Sequence, residues 1–144
     1  MWEDVFSNDW VAASQRFNHF AEEISATGHA VVLKRLLLDV KGPVEEQLGI
    51  DTCIIGDPAG KKLLLSTSGI HGVEGYPGSA IQLHIMRDIL EHGPPEGVTV
   101  AFVHSLNPWG MAWLRRVNEN NADLNRNFLP PGESYEGEPE GYSI

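Results

Sequence analysis

Residues 69–75 place a histidine and a carboxylate three positions apart, His71 and Glu74, within a glycine-rich stretch. Imidazole nitrogen and carboxylate oxygen are both zinc ligands in proteins. Gly72 and Gly75 permit the backbone bends that would let both side chains reach one ion. The spacing differs from the helical HExxH arrangement, in which the second histidine comes four residues after the first. The alternative interpretation is a simple turn, with a solvated His71 and with Glu74 favouring a helix N-terminus.

A second group of polar residues occupies positions 123–128 and follows the neighbouring arginines Arg115 and Arg116. A guanidinium group can hold a carboxylate through two hydrogen bonds. An asparagine beside it adds a neutral donor. Pairing of Asp123 with the arginines, as a structural cluster, is equally compatible with these residue types. The residues alone therefore leave substrate binding and internal ion pairing both open.

The elements that must position these residues alternate between helical and extended patterns. The strand–helix–strand order over residues 62–104 predicts a parallel βαβ unit. The turn at 56–60 predicts an antiparallel hairpin between the strands on either side of it. The expected fold class is α/β, with a mixed, mostly parallel sheet flanked by helices. The periodicities predict helices over 9–26 and 79–92 and strands over 30–38, 50–55, 62–67 and 98–104.

This order places residues 69–75 directly after the strand 62–67. Open α/β sheets bind their ligands at the carboxyl ends of strands. The glycine-rich segment with His71 and Glu74 therefore lies where a binding site is expected.

The charge balance narrows the range of partners. Twenty acidic residues outnumber ten basic ones, for a formal net charge of −10. Such an excess repels a nucleic acid backbone and an anionic membrane surface, so neither is expected as a partner. The one cysteine, Cys53, lies in an apolar stretch and is predicted to be a buried, unreactive thiol. The acidic start of the chain does not resemble a signal peptide, so we expect a cytoplasmic protein.

Three motifs in one order resemble the zinc carboxypeptidase superfamily, which includes carboxypeptidase A and the succinylglutamate desuccinylase and aspartoacylase deacylases. They are HGVEG at 71–75, NPWG at 107–110 and DLNRNF at 123–128. The wider segments 68–76 and 104–119 are similar to a bacterial branch of it, domain-of-unknown-function family 2817. The resemblance covers nearly the whole chain, as the N-terminal part of such a domain.

The resemblance implies a role for each matching residue. His71 and Glu74 would be ligands of Zn²⁺. Asn125 and Arg126 would bind a substrate carboxylate. The implied substrate is a small peptide or an N-acyl amino acid with a free carboxylate, because both present that group beside an amide bond.

The same resemblance implies a catalytic arginine that polarises the scissile carbonyl and stabilises its oxyanion. Arg116 is the expected residue, and Arg115 is the competing choice because no motif fixes the register between the two. The expected reaction is zinc-dependent amide hydrolysis of the carboxypeptidase type. Deacylation of N-acyl amino acids, or a non-catalytic remnant, are the alternatives.

The superfamily takes a third zinc ligand, a histidine, and a catalytic glutamate from later strands. No histidine follows Phe128, and residues 129–144 form an acidic tail rich in proline and glycine. We therefore expect residues 1–128 to be the N-terminal part of the domain and 129–144 to lead into a missing C-terminal half. On that expectation the 144-residue chain alone is inactive and self-associates. His104, at the end of a strand, is the reserve ligand, although a hydrogen-bonded structural role is favoured.

Overall fold

Helices and strands alternate along the chain much as the periodicities predict. The computed structural model describes residues 5–57, 60–126 and 129–134. Predictions that concern residues 127–128 and 135–144, which include the end of the DLNRNF motif and most of the acidic tail, lie outside the described residues. The elements are α1 (Trp10–Ala26), β1 (Val31–Lys41), β2 (Gln47–Ile55), β3 (Lys62–Thr67), α2 (Gly75–His92), β4 (Val98–His104) and α3 (Pro108–Ala112).

The four described strands form one mixed sheet in the order β1-β2-β4-β3. β3 and β4 are parallel, with Leu64 opposite Val100, and α2 connects them. The predicted α/β class with flanking helices and the predicted βαβ unit are therefore confirmed. β1–β2 and β2–β4 are antiparallel, so one of the three described pairings is parallel rather than most of them.

The predicted hairpin between β2 and β3 is wrong. β4 lies between these strands and pairs with both of them. The physical reason is that β4 is apolar on both of its faces, which suits an interior position in the sheet. The hairpin partner of β2 is β1, through the pairing of Leu33 with Cys53 and of Val31 with Ile55.

Residues adjacent to α1 define where the helix begins and ends. The Asp9 carboxylate accepts a hydrogen bond from the Ala12 amide at 2.7 Å and thereby caps the start of α1. Gly28, with φ of +91°, follows the end of the helix.

Both long helices pack on the same face of the sheet. This face bears Cys53, which is fully buried, and burial raises the pKa of its thiol to about 12. The prediction of a buried, unreactive cysteine is consistent with this pKa. The core comprises Val5, Phe17, Ala21, Ile24, Cys53, Ile55, Ala80, Leu83, Met86, Ile89, Val100 and Phe102.

The opposite face of the sheet is apolar and open to solvent within the part of the chain that the structure describes. Leu63 is 66% exposed and Leu65 is 57% exposed. These two side chains alternate with Leu64, whose partner Val100 belongs to the helix-covered core. Val32 and Leu36 of β1 are also exposed. Among the described helices, none is long and apolar enough to span a membrane.

Candidate metal and substrate site

The glycine-rich loop after β3 is pressed against α3. A Cβ atom placed on Gly72 would overlap the backbone of Gly110 and Met111, so the loop can approach this closely only with glycine there. α2 begins at Gly75, four residues earlier than predicted. The loop that carries the candidate ligands is therefore short and fixed at both ends.

His71 and Glu74 converge as the sequence predicts. His71 Nδ1 lies 3.4 Å from Glu74 Oε2. Two ligand atoms that each lie about 2 Å from one tetrahedral ion are separated by a similar distance. His71 is buried, whereas Glu74 is exposed. The two side chains fit one shared metal ion, and their role as zinc ligands remains a prediction.

Asp123 is a site residue that the sequence analysis missed. Its Oδ1 lies 2.9 Å from Nε2 of His71, the ring nitrogen on the side away from Glu74. Metal-bound histidines commonly use their second ring nitrogen in such a contact, which fixes the ring orientation and the tautomer. The sequence signal was its place two residues before Asn125, but nothing in the sequence shows the contact with His71.

The Asp123 carboxylate is held in its ionised form. Its hydrogen bond with His71 is the largest cause, and the backbone amide of Asn125 and the guanidinium of Arg116 add to it. Together they lower the pKa of Asp123 from 3.8 to about 2. The group therefore carries a full negative charge at any pH well above 2, which suits a residue that orients the His71 ring.

Arg116, rather than Arg115, reaches this cluster among the contacts of the described residues. Its Nε donates to Asp123 Oδ2 at 3.0 Å, and its Nη1 lies 3.8 Å from Glu74 Oε1. The ion pair of Asp123 with an arginine, expected as one interpretation, thus forms with Arg116. It forms beside the candidate ligands rather than apart from them.

Asn107 of the NPWG motif positions the segment that carries Arg116. Its Oδ1 accepts a hydrogen bond from the Gly110 amide at 2.9 Å and caps α3. Its Nδ2 donates to the carbonyls of Val117 at 3.0 Å and Arg116 at 3.5 Å. The side chain is buried. The motif therefore has a structural function that holds the arginine segment against α3.

Asn125 and Arg126 follow Asp123 in a tight turn. The Asn125 amide donates to Asp123 Oδ1 at 2.9 Å, and the Arg126 amide donates to the Asp123 carbonyl at 3.1 Å. The Arg126 guanidinium donates to the carbonyl of Asn125 at 3.0 Å. In the described residues neither side chain contacts His71 or Arg116. The turn lies beside the cluster, and carboxylate binding by these two side chains remains a prediction.

A third protein ligand is not found in the described ranges, where no group of three or more His, Cys, Asp or Glu side chains could hold one ion. Asp123 does not complete the set because it faces the other nitrogen of the His71 ring. His104 is fully buried, contacts Ser79 through Nε2 at 2.9 Å and stacks on Phe17. This is the favoured structural role, and the reserve role as a ligand is not supported.

An α/β sheet with a histidine–carboxylate pair at the carboxyl end of a strand is the architecture that the three motifs imply. The chain belongs to the family DUF2817, described as a protein of unknown function, whose model matches residues 6–143. A comparison with the curated proteins gives no match.

Solved structures with a similar arrangement include bacterial glutaminyl cyclases. That of Porphyromonas gingivalis is 14% identical, with 74% of this chain and 48% of that chain covered and a TM-score of 0.39. That of Tannerella forsythia is 15% identical, with 78% of this chain and 45% of that chain covered and a TM-score of 0.41. A Zn-dependent exopeptidase from Parabacteroides distasonis is 13% identical, with 69% of this chain and 46% of that chain covered and a TM-score of 0.40. The chain spans less than half of the length of these proteins, and similarity at this level does not define its activity.

Proposed function

We propose that this chain provides the metal-binding and substrate-binding part of a zinc-dependent amide hydrolase of the carboxypeptidase type. One observation supports the proposal above all. The Nδ1 atom of His71 lies 3.4 Å from the Glu74 carboxylate, while the Nε2 atom of the same ring is held by Asp123 at 2.9 Å. A ring held on one nitrogen and faced by a carboxylate on the other is preorganised to bind a cation.

His71 Nδ1 and a Glu74 oxygen would hold the ion. A zinc ion bound there lowers the pKa of a coordinated water and polarises a carbonyl group. Asp123 fixes the orientation of the His71 ring and accepts a hydrogen bond from its Nε2–H group. These assignments use only atoms that the structure already brings together.

Arg116 is the residue proposed to act on the substrate carbonyl. Its guanidinium is about half exposed and lies between Glu74 and Asp123. An arginine at this position can stabilise the negative charge that develops on a carbonyl oxygen during hydrolysis. In this role Arg116 gives up part of its contact with Asp123 and donates to the carbonyl oxygen of the substrate instead.

The exposed turn after Asp123 supports the proposed substrate class. Asn125 and Arg126 offer an amide and a guanidinium that can bind a carboxylate in two-point fashion. A peptide with a free carboxyl terminus and an N-acyl amino acid both fit, because each has a carboxylate next to an amide bond. Hydrolysis of the peptide is the primary proposal and deacylation is the alternative.

Zinc binding to the purified chain tests the metal site directly. Calorimetric titration should show one zinc per chain, bound more weakly than at sites with three protein ligands. The substitution His71→Ala should abolish this binding. His19→Ala is the matched control, because His19 is an exposed histidine on α1, outside every motif, and it should leave binding unchanged. Absence of zinc binding, or equal loss in both variants, would refute the proposed metal site.

Carboxylate binding tests the substrate class. An N-acetyl amino acid with a free carboxylate should perturb the NMR signals of residues 123–126 in the zinc-loaded chain, and its carboxamide should not. Arg126→Ala should remove the difference between the two ligands. Equal responses to carboxylate and carboxamide would contradict the assigned role of Arg126.

A further inference from the structure

A buried glutamine on α2 joins the two strands that lead into the candidate site. Gln82 is 1% exposed and lies on the helix face that packs against the sheet. Its neighbours on that face are apolar, such as Leu83 and Met86. Burial of an amide among apolar residues is costly unless each of its polar atoms is hydrogen-bonded.

Every polar atom of this amide has a partner at the ends of β3 and β4. Nε2 donates to the carbonyl of Ser66 at 3.0 Å and to that of Val103 at 3.2 Å. Oε1 accepts a hydrogen bond from the Ser68 hydroxyl at 3.0 Å. One side chain thus binds both parallel strands at the point where they diverge into loops.

The close approach of the helix to this point is built into the chain. A Cβ atom on Gly78 would lie 2.9 Å from the Ser68 Cβ, so a larger residue would push α2 away from the loop. The glycine lets α2 approach the strand ends closely, and Gln82 follows it by one helical turn.

The end of β3 continues into the loop that carries His71, and the end of β4 continues into the segment that carries Arg116; these are the two halves of the site. Beyond β3 and β4, the amide of Leu106 donates to the Ser68 carbonyl and that of Asn107 to the Gly69 carbonyl, both at 2.8 Å. Gly69 leads into His71, and Asn107 holds the backbone of Arg116. A displacement of either strand end would therefore move one half of the site relative to the other.

We propose that Gln82 is a positioning residue, which holds the ends of β3 and β4 in register and thereby places His71 and Arg116 opposite each other. The expected effect of Gln82 on zinc affinity rests on the proposed function, whereas its effect on the positions of the strand ends does not. The residue does not touch the candidate ligands. It acts through hydrogen bonds to the backbone that carries them.

The substitution Gln82→Met tests this role because methionine has the same chain length and no hydrogen-bond donor. Met86→Ala is the matched control, since Met86 is buried one turn further along the same helix and its loss weakens the core without touching the strand carbonyls. In hydrogen exchange, the amides of Leu106 and Asn107 should exchange at least tenfold faster in Gln82→Met. In Met86→Ala they should change only as much as amides elsewhere in the core.

Zinc affinity supplies the second measurement. Loss of a supporting interaction around a metal site typically lowers metal affinity about 10–100-fold, and we expect about tenfold for Gln82→Met and less than twofold for Met86→Ala. If Gln82→Met does not fold, Ser68→Ala removes only the hydrogen bond to Oε1 of Gln82 and should give a smaller change in the same direction.

The outcomes separate the two proposals. Unchanged exchange at Leu106 and Asn107 would overturn the positioning role of Gln82, whatever the zinc result. Faster exchange with unchanged zinc affinity would overturn it as well, because the strand ends would then not control the site. A native chain that binds no zinc refutes the proposed function alone, and the exchange comparison still decides the role of Gln82.

Discussion

At the scale of single residues, the candidate site depends on how one imidazole ring is held. His71 has a carboxylate at each of its nitrogens, Glu74 at 3.4 Å and Asp123 at 2.9 Å. The two carboxylates differ in their surroundings. Asp123 also receives hydrogen bonds from Arg116 and from the Asn125 amide, whereas Glu74 is exposed. Glu74 is therefore the carboxylate that can turn toward a cation, and Asp123 is the one that stays in place.

Asp123→Asn should weaken zinc binding and leave the fold intact. The variant keeps the size of the side chain but loses its charge. The asparagine side chain has only one acceptor oxygen, so it cannot accept hydrogen bonds from both His71 and Arg116 through separate oxygens as Asp123 does. Metal affinity should fall about 10–100-fold, as measured by competition with a chromophoric chelator. Glu119→Gln, which neutralises an exposed carboxylate in the same segment, should have no effect. Equal affinity of Asp123→Asn and the native chain would show that Asp123 does not support the ligand.

His104 should make the protein sensitive to mild acid. Burial lowers its pKa from 6.5 to about 4, with nearby Asp51 opposing the shift. Between these pH values the unfolded chain binds a proton that the folded chain does not. The free energy of unfolding should therefore decrease as the pH falls from about 6.5 to about 4, by up to ~1.4 kcal/mol per pH unit.

Denaturant titrations across this pH range measure the effect. His104→Gln should be less stable at neutral pH but should lose this part of the acid dependence. His19→Gln, which replaces an exposed histidine, should retain it. An identical pH slope in His104→Gln and the native chain would mean that another group causes the acid sensitivity.

At the scale of elements, the site is a contact between loops that only small residues permit. The loop after β3 and the start of α3 approach each other at Gly72 and Gly110. Asn107 caps α3 and holds the segment that follows it. The ligand loop and the arginine segment therefore form one packed unit at the carboxyl ends of two neighbouring parallel strands.

Gly72→Ala should disrupt this unit. The added methyl group would overlap the backbone of Gly110 and Met111, and overpacking of this kind costs about 1–3 kcal/mol. Gly97→Ala is the control, because the space around its Cβ is open and only its φ of +69° opposes alanine, at about 1–2 kcal/mol. Thermal melts should show that the two variants are destabilised to a similar extent, whereas zinc affinity should fall only in Gly72→Ala. Loss of affinity in both variants would attribute the effect to stability rather than to the loop.

At the scale of the whole molecule, the sheet is covered on one side only within the described residues. The helix-covered face contains the hydrophobic core, while the other face exposes Leu63 and Leu65 on the edge strand β3. Edge strands with free backbone groups and apolar side chains readily pair with other chains. The predicted self-association of the chain follows from this surface.

Sedimentation velocity should show association that increases with protein concentration. The double substitution of Leu63 and Leu65 by glutamate should shift the chain toward monomer. Val44→Glu replaces a more exposed apolar residue in the turn after β1, away from the sheet face, and should leave association unchanged. A monomeric native chain at high concentration would contradict the expectation, as would association that the double variant does not reduce.

The sequence by itself determined the two long helices, the four strands and the candidate ligand pair. β3 and β4 have the predicted bounds because their apolar runs end at strong turn signals. His71 and Glu74 converge because the glycine-rich loop turns between them, with the Gly75 amide donating to the Gly72 carbonyl at 2.9 Å. Local composition and spacing contain this information, since each feature depends on a few adjacent residues.

Only the tertiary structure decided which distant segments meet. Insertion of β4 between β2 and β3 depends on the pairing of β4 with both of these strands, which a turn signal at 56–60 cannot show. The contact of Asp123 with His71 joins residues 52 positions apart, and the choice of Arg116 over Arg115 depends on the path of the chain after α3. Gln82 lies among apolar helix residues, and the partners of its Nε2 atom in β3 and β4 include two backbone carbonyl groups, which every residue possesses. Backbone partners leave no trace in residue types, so packing alone identifies them.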